Sequence, residues 1–294
     1  MDRLRRTTQP EADSLRRTTQ PGADRLQKAT QPAAADPGSL RHARHAGHEA
    51  EPAFVLHSYP FRETSLIIEA FTRNHGRVAL VARGARRPRS VLRGVLLAFQ
   101  PLLLTWGGKG ELRTLYKAEW QGGLPQLKGR GLLCGFYLNE LMLKLLARDD
   151  AHETLFETYR ATLEELGNGG EHAITLRRFE QQFLKEAGYA LTLDRDAASG
   201  EAIRADCDYQ YLIEHGPVRY ARVNAPAATY GGNAGDAENR LELSGQTLLD
   251  MARDDYSSAL TQQQSKALMR VLINHYLGEQ TLNTRQLLRD LQQL

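Results

Sequence analysis

The spacing of apolar residues changes period near residue 128 of this 294-residue chain, and that change constrains the fold more than any other feature. Before it come "AFVLHSY", "SLIIEAFT", "RVALVARGA" and "PLLLTWGGKGELRTLYKAEW". These short runs are rich in β-branched and aromatic residues and are separated by tight-turn signals, "NHG" and "GGKGE". Such runs read as strands, because branched and aromatic side chains suit a pleated surface. After it, "LLCGFYLNELMLKLLARDDAHETLFETYRATLEELG" places apolar residues three and four apart, the repeat of a helix face. In "AITLRRFEQQFLKEAGY", Leu176, Phe179, Phe183 and Leu184 line one such face.

Five short strands between residues 53 and 128, with no room for long helices, point to a small antiparallel barrel. The five-stranded oligonucleotide-binding (OB) barrel fits this length. The expected class is α+β: an OB-fold β-barrel over 53–128, then an α-helical domain over 129–294. Within the latter, residues 189–240 break the pattern. "YALTLDRD", "CDYQYLIEHG" and "VRYARVNA" read as an irregular hairpin, and "TYGGNAGDAENR" as a flexible loop. Helices resume at "SGQTLLDMARDDY", with Ser244, and later Asn283 or Thr284, as expected N-caps.

Residues 1–52 read as a disordered extension. "DRLRRTTQPEA", "DSLRRTTQPGA" and "DRLQKATQPAA" repeat with a period of 11 residues, and each unit carries a proline. Low apolarity with Pro, Thr and Gln argues against packing. His42, His45 and His48 share a helical spacing that could ligate a metal, but a polar His run in a linker is ordinarily solvated.

No apolar run approaches the roughly 20 residues of a membrane helix, and no secretory h-region opens the chain. Two distant cysteines, Cys134 and Cys207, make neither a disulfide framework nor a zinc site. A cytoplasmic protein is expected. Phosphate-binding loops, G-x-G-x-x-G after a strand and H-E-x-x-H are absent from the sequence. Asp149-Asp150, Asp194-Asp196 and Asp254-Asp255 are pairs that could hold Mg²⁺, but carboxylates at helix ends and loops are commonly just solvated.

The net charge of +3 is a sum of opposites. Residues 53–128 carry twelve Lys/Arg against four Asp/Glu, and residues 129–294 carry seventeen against twenty-four. This split suggests two modules with different partners. The basic excess centres on "VALVARGARRPRS", where Arg83, Arg86, Arg87 and Arg89 fall within seven positions and Arg93 follows. Guanidinium groups match phosphate geometry and stay charged, so the cluster points to a nucleic-acid backbone. Arg62, Arg77 and Lys109 could extend the patch. Tyr59, Phe61 and Trp106 are either base-stacking rings or core. Gly84 and Pro88 make the arginines fan from a loop after the third strand.

At this point several separated blocks agree with one family. "AFVLHSYPFRETSLIIEAFT", "GRVALVARGARRPRS", "QPLLLTWGGKGELRTLYKAE", "YLNELMLKLL", "LRRFEQQFLKEAGY" and "HYLGEQTLNTRQLLRDL" resemble the bacterial RecO family, in order, over residues 53–294. The resemblance implies a non-enzymatic DNA repair and recombination mediator without cofactor. It implies binding of single- and double-stranded DNA, and annealing of complementary strands without ATP. It also implies loading of recombinase onto strands coated by single-strand-binding protein, together with RecR, at the nucleoid. The family's helical domain takes the acidic, phenylalanine-ended tail of single-strand-binding protein. Such a peptide needs an apolar slot and a cation for its terminal carboxylate. "LRRFEQQFL" offers both, with Arg177 or Arg178 for the carboxylate, unless these pair with Glu180 or nearby acids.

Two departures stand out. Many relatives carry a four-cysteine zinc site where this chain reads "LDRDAASGEAIRADCDYQY". The hairpin is expected to persist without metal, held by Tyr209, Tyr211 and Tyr220. The repeat-bearing extension matches nothing in the family. Two other function classes remain open: a Mg²⁺-dependent nuclease using the aspartate pairs, and a scaffold whose barrel binds peptide.

Overall fold

The computed structural model describes residues 49–220 and 240–286. The repeats, His42, His45 and His48, and most of "TYGGNAGDAENR" lie outside them.

Five strands close into a barrel: β1 (Glu51–Phe61), β2 (Ser65–Thr72), β3 (Gly76–Ala82), β4 (Leu102–Gly107) and β5 (Leu112–Trp120), in the order β1-β2-β3-β5-β4. A four-residue helix, α1 (Leu92–Val95), lies between β3 and β4. β1 begins at Glu51, within the stretch expected to be extension. The Glu51 carboxylate there accepts the Asn74 backbone N–H (2.6 Å) and side-chain amide (3.1 Å), tying the strand start to the β2–β3 turn.

Inward-facing Ile68, Leu80, Leu102, Leu104 and Trp106 are buried. Trp106 is fully enclosed, edge-on to His75 at 5.5 Å, so it is a core ring and not a stacking platform. Leu96 closes the interior, with Leu92 and Val95 of α1 packed beside it. The expectation of an all-antiparallel barrel fails at one seam. β3 and β5 pair in parallel, from Ala79↔Leu112 to Val81↔Thr114. The long crossover from β3 through α1 to β4 makes this possible, because β5 then returns in the direction of β3.

The helical part comprises α2 (Gly129–Leu145), α3 (Glu153–Gly167), α4 (His172–Glu186), α5 (Gly245–Ala252) and α6 (Ala259–Leu277). The charge split suggests separable modules, but one core runs through both. Phe54 and Phe71 leave the outer face of the barrel and pack on α3. Phe54 lies 5.3 Å from Phe156 and 5.1 Å from Tyr159, and Phe71 lies 5.6 and 6.2 Å from the same rings. Asn139 of α2 donates to the Leu56 carbonyl (2.8 Å) and accepts from the Tyr159 hydroxyl (2.5 Å). Gly76 completes the junction. Its φ is +64°, and a Cβ there would lie 1.7 Å from the Asp150 carbonyl oxygen.

The irregular insertion holds a three-stranded sheet of β6 (Asp208–Leu212), β7 (Gly216–Arg219) and β8 (Arg240–Ser244), with β6 central. "YALTLDRD" is irregular rather than a strand, with one isolated bridge from Arg195 to Ala202. Asp196 organises it by accepting backbone N–H groups from Ala198 (2.8 Å), Ser199 (2.8 Å) and Arg219 (2.6 Å). Burial opposes the charge on this carboxylate, but the three N–H donors prevail and hold it below its ordinary pKa. Tyr209 and Tyr211 are buried, and the Tyr209 hydroxyl accepts the Arg204 N–H (3.0 Å). Tyr220 is half-buried, its N–H bonded to the Asp208 carbonyl (3.2 Å). Ser244 caps α5, its hydroxyl accepting the Gln246 N–H (3.2 Å). Asn283 and Thr284 are capped from outside instead, giving their N–H groups to Glu140 of α2 (2.8 and 2.9 Å).

Candidate nucleic-acid interface

Arg83, Arg86, Arg87, Arg89 and Arg93 are all exposed, on the segment that leaves the C-terminal end of β3. Ala85 is fully buried between them and pins the loop to the barrel. Gly84 has φ +68°, which turns the chain sharply. Arg86 stitches this loop to the β1–β2 turn. Its N–H reaches the Thr64 carbonyl (2.9 Å) and its guanidinium the Arg62 carbonyl (3.2 Å). Arg62, itself at φ +51°, lies over the Phe61 ring at 5.1 Å. Phe61, Arg62, Arg83 and Arg87 line a groove of about 900 Å³, with Glu63 also on its wall. Tyr59 is exposed close by along β1, against His57 at 4.4 Å.

The barrel's arginines divide into two populations. Among the described residues, Arg83, Arg86, Arg87 and Arg89 of this loop and Arg93 of α1 form no ion pair with an acid. Those toward the opposite end meet acids, Arg73 with Glu153 (2.5 Å) and Glu157 (3.4 Å) and Arg113 with Asp149 (2.8 Å), and Arg148 of the α2–α3 connector joins them there by pairing with Glu69. Arg77 belongs to the second population and does not extend the patch. It sits at the start of β3, half-enclosed, bonded to Glu69 (3.1 Å) and to the Leu146 carbonyl (3.0 Å). Its role is to join the barrel to α2. Lys109 is exposed at the β4–β5 tip. The register Ala79↔Leu112 places that tip toward the Gly76 end of β3, away from the arginine loop.

The aspartate pairs are engaged by protein groups. Asp149 holds Arg113, Asp150 faces His152 (3.4 Å), and Asp194 meets Arg195 (3.5 Å). Asp196 takes backbone N–H groups, Asp254 binds Arg178, and Asp255 accepts from Ser257 (2.9 Å). Among the described residues, no group of three or more His, Cys, Asp or Glu side chains is placed to hold a metal.

In the helical part, a slot of about 420 Å³ opens between α4 and α6. Ile174, Leu176 and Tyr137 supply apolar wall, and Lys266, Arg270 and Arg285 bring cations. Arg177 lines it as well, but both its terminal nitrogens engage Glu180 at 2.8 Å. Arg178 does not line the slot. Its Nε is held by both oxygens of Asp254 (3.0 and 2.9 Å). Pairing with Glu180 and nearby acids is thus the arrangement found for both. Lys266, Arg270 and Arg285 were missed by the sequence reading, although the four-residue spacing of the first two puts them on one helix face.

A closed OB-type barrel with one basic rim, fused through a common core to a helical domain, defines an OB-fold protein of barrel-plus-bundle architecture. Two family models match, "Recombination protein O N terminal" over residues 48–123 and "Recombination protein O C terminal" over residues 127–280. The chain belongs to the RecO family. It is 56% identical over 246 residues to the DNA repair protein RecO of Nitrosospira multiformis, covering 84% of this chain and 97% of that one. It is 55% identical, with the same coverage, to that of Aromatoleum aromaticum. With the RecO of Thiobacillus denitrificans it shares 51% identity over 253 residues, 83% of this chain and 93% of the relative.

Proposed function

We propose that this chain is a DNA repair and recombination mediator that makes and breaks no covalent bond. It grips the backbones of single- and double-stranded DNA and anneals complementary strands. With RecR, it helps load recombinase onto strands coated by single-strand-binding protein. The carrying observation is the acid-free arginine loop, Arg83 to Arg93, beside the Arg62–Phe61 groove. Unpaired guanidinium groups on a fixed loop release counterions from a phosphate backbone, and two strands so neutralised can meet with less repulsion. The aspartates that a metal-assisted cut would need lie elsewhere and are engaged by protein groups, Asp149 by Arg113, Asp196 by backbone N–H groups and Asp254 by Arg178.

The slot between α4 and α6 is the proposed seat of the acidic tail of single-strand-binding protein. Its apolar wall suits a terminal phenylalanine, and Lys266, Arg270 and Arg285 suit the carboxylate and acidic residues of the tail. Arg177 acts there as a fixed wall, and Arg178 stands outside. Coupling the tail slot to the basic rim keeps the chain at coated strands, in the bacterial cytoplasm where the nucleoid lies. Among the described residues, no helix is long and apolar enough to cross a membrane.

The test is DNA binding by Arg86→Glu/Arg87→Glu across a salt series. Both affinity and the slope of log K against log salt should fall. Unchanged values would leave the rim without a phosphate role and favour the peptide-binding scaffold. Strand cleavage by the purified protein in Mg²⁺ would favour the nuclease.

A further inference from the structure

We infer that Trp120 is a stacking platform for an unpaired nucleobase, placed so that the phosphates of the same strand cross the arginine loop. This rests on the DNA-binding reading of that loop and adds to it a preference for unpaired strands. Trp120 is 62% exposed, the most exposed large aromatic side chain among the described residues. Its ring is nonetheless fixed. The indole N–H donates to the Gln100 side chain (3.1 Å), and Gly122 lies against the ring, where a Cβ would be 3.6 Å from it. Phe99, just before Gln100, is buried and holds that stretch in place. A large apolar ring kept in water in one orientation is ready to accept a flat partner on its open surface.

The barrel's parallel seam brings this ring to the arginines. β3 and β5 run in the same direction, so their C-terminal ends emerge at the same end of the barrel. The first leads into Arg83 and the second ends on Trp120. α1, which carries Arg93, packs against β5. The acid beside Trp120, Glu119, is taken by Lys117 at 2.9 Å, so no bare carboxylate repels a phosphate there. Base–indole stacking is tolerant of sequence and needs an unpaired base, which a duplex does not offer.

The chain holds two tryptophans, and the other, Trp106, is fully buried. A quench of intrinsic emission by a bound strand therefore reports on Trp120, the tryptophan a ligand can reach. The probes are an oligothymidylate and a blunt duplex of equal length, with affinities measured in parallel by anisotropy. The oligothymidylate should quench emission of the unaltered chain, and Trp120→Phe should abolish the quench while keeping affinity within about threefold. Trp120→Leu, which keeps apolar bulk without a π-face, should weaken single-strand binding about tenfold and leave duplex binding unchanged. Single-strand affinity unaffected by Trp120→Leu, or no quench at saturation, overturns the inference. Equal loss on both probes also overturns it, as does altered sedimentation of the chain with DNA binding intact, which would mark a protein contact. If Arg86→Glu/Arg87→Glu abolishes binding while Trp120→Leu does not, the platform fails and the phosphate site stands. If the unaltered chain binds neither probe, both fail.

Discussion

Arg177 and Glu180 meet through both carboxylate oxygens, at 2.8 Å each, with the carboxylate fully buried at the wall of the helical slot. The Tyr137 hydroxyl donates to the same carboxylate (2.5 Å), and Arg285 in turn donates to that hydroxyl (3.1 Å). Removing one partner of a buried pair strands the other in a medium of low polarity. Arg177→Ala should therefore cost about 3–5 kcal/mol in denaturant titration. Lys266 and Arg270 are exposed on the opposite wall. Their reversal to Glu should leave the melting temperature within about 2 °C and yet abolish binding of an acidic, phenylalanine-ended peptide, read by anisotropy.

Gly76 sits where the barrel touches the Arg148–Asp150 connector. Alanine there meets both the positive φ and a carbonyl oxygen 1.7 Å from the new Cβ. Gly76→Ala should lower stability by at least about 3 kcal/mol, because backbone and not a flexible side chain must give way. Gly110 also has positive φ, but nothing lies within 4 Å of its Cβ position. Gly110→Ala should cost only about 1 kcal/mol, which thermal melts will compare.

Phe54 and Phe71 tie the barrel's unfolding to that of the helices. Phe54→Ala should cost about 3–5 kcal/mol and lower a single shared transition rather than split it into two. A fragment ending at residue 128 leaves Phe54, Leu56 and Phe71 bare and should self-associate, which sedimentation will detect.

Two carboxylates set an acid limit. Burial works against ionisation of Glu140, but Lys144, the Thr284 hydroxyl and the N–H groups of Thr284 and Asn283 outweigh it and hold its pKa below the ordinary 4.5. Asp196 is likewise held below 3.8. A carboxyl depressed on folding contributes stability that is complete above its unfolded pKa and is lost as pH falls through its folded one. Glu140→Gln should thus be less stable than the unaltered chain at pH 7, with the gap closing below about pH 4 in urea titrations at stepped pH.

The sequence made the large features readable wherever a local signal carried them. Runs rich in β-branched and aromatic residues marked the strands, and three-four spacing the helices. Gly84 and Pro88 correctly placed the arginines on a loop. What escaped depends on contacts distant in sequence. Arg77 carries the same charge as Arg83 six positions later, and only Glu69 and the Leu146 carbonyl reveal that it is a tie between domains. Trp106 and Trp120 both end strand-like runs, and closure of the barrel puts one inside and leaves the other at the rim. The parallel seam between β3 and β5 has no local signature, because pairing direction follows from the path of the crossover. Glu140 capping a helix more than 140 residues away lies equally beyond any window read along the chain.

Among the described residues, the aromatic seam of Phe54, Phe71, Phe156 and Tyr159 leaves no hinge between the barrel and the helices. The basic rim and the apolar slot keep one fixed bearing, like the two arms of a bracket. Under the proposed function, a peptide seated in the slot would be presented to a strand on the rim from a single direction, and a tug on either ligand would be felt as torque at the other. Orientation is then inherited from the protein's rigidity, and neither ligand has to search for it after the first has docked.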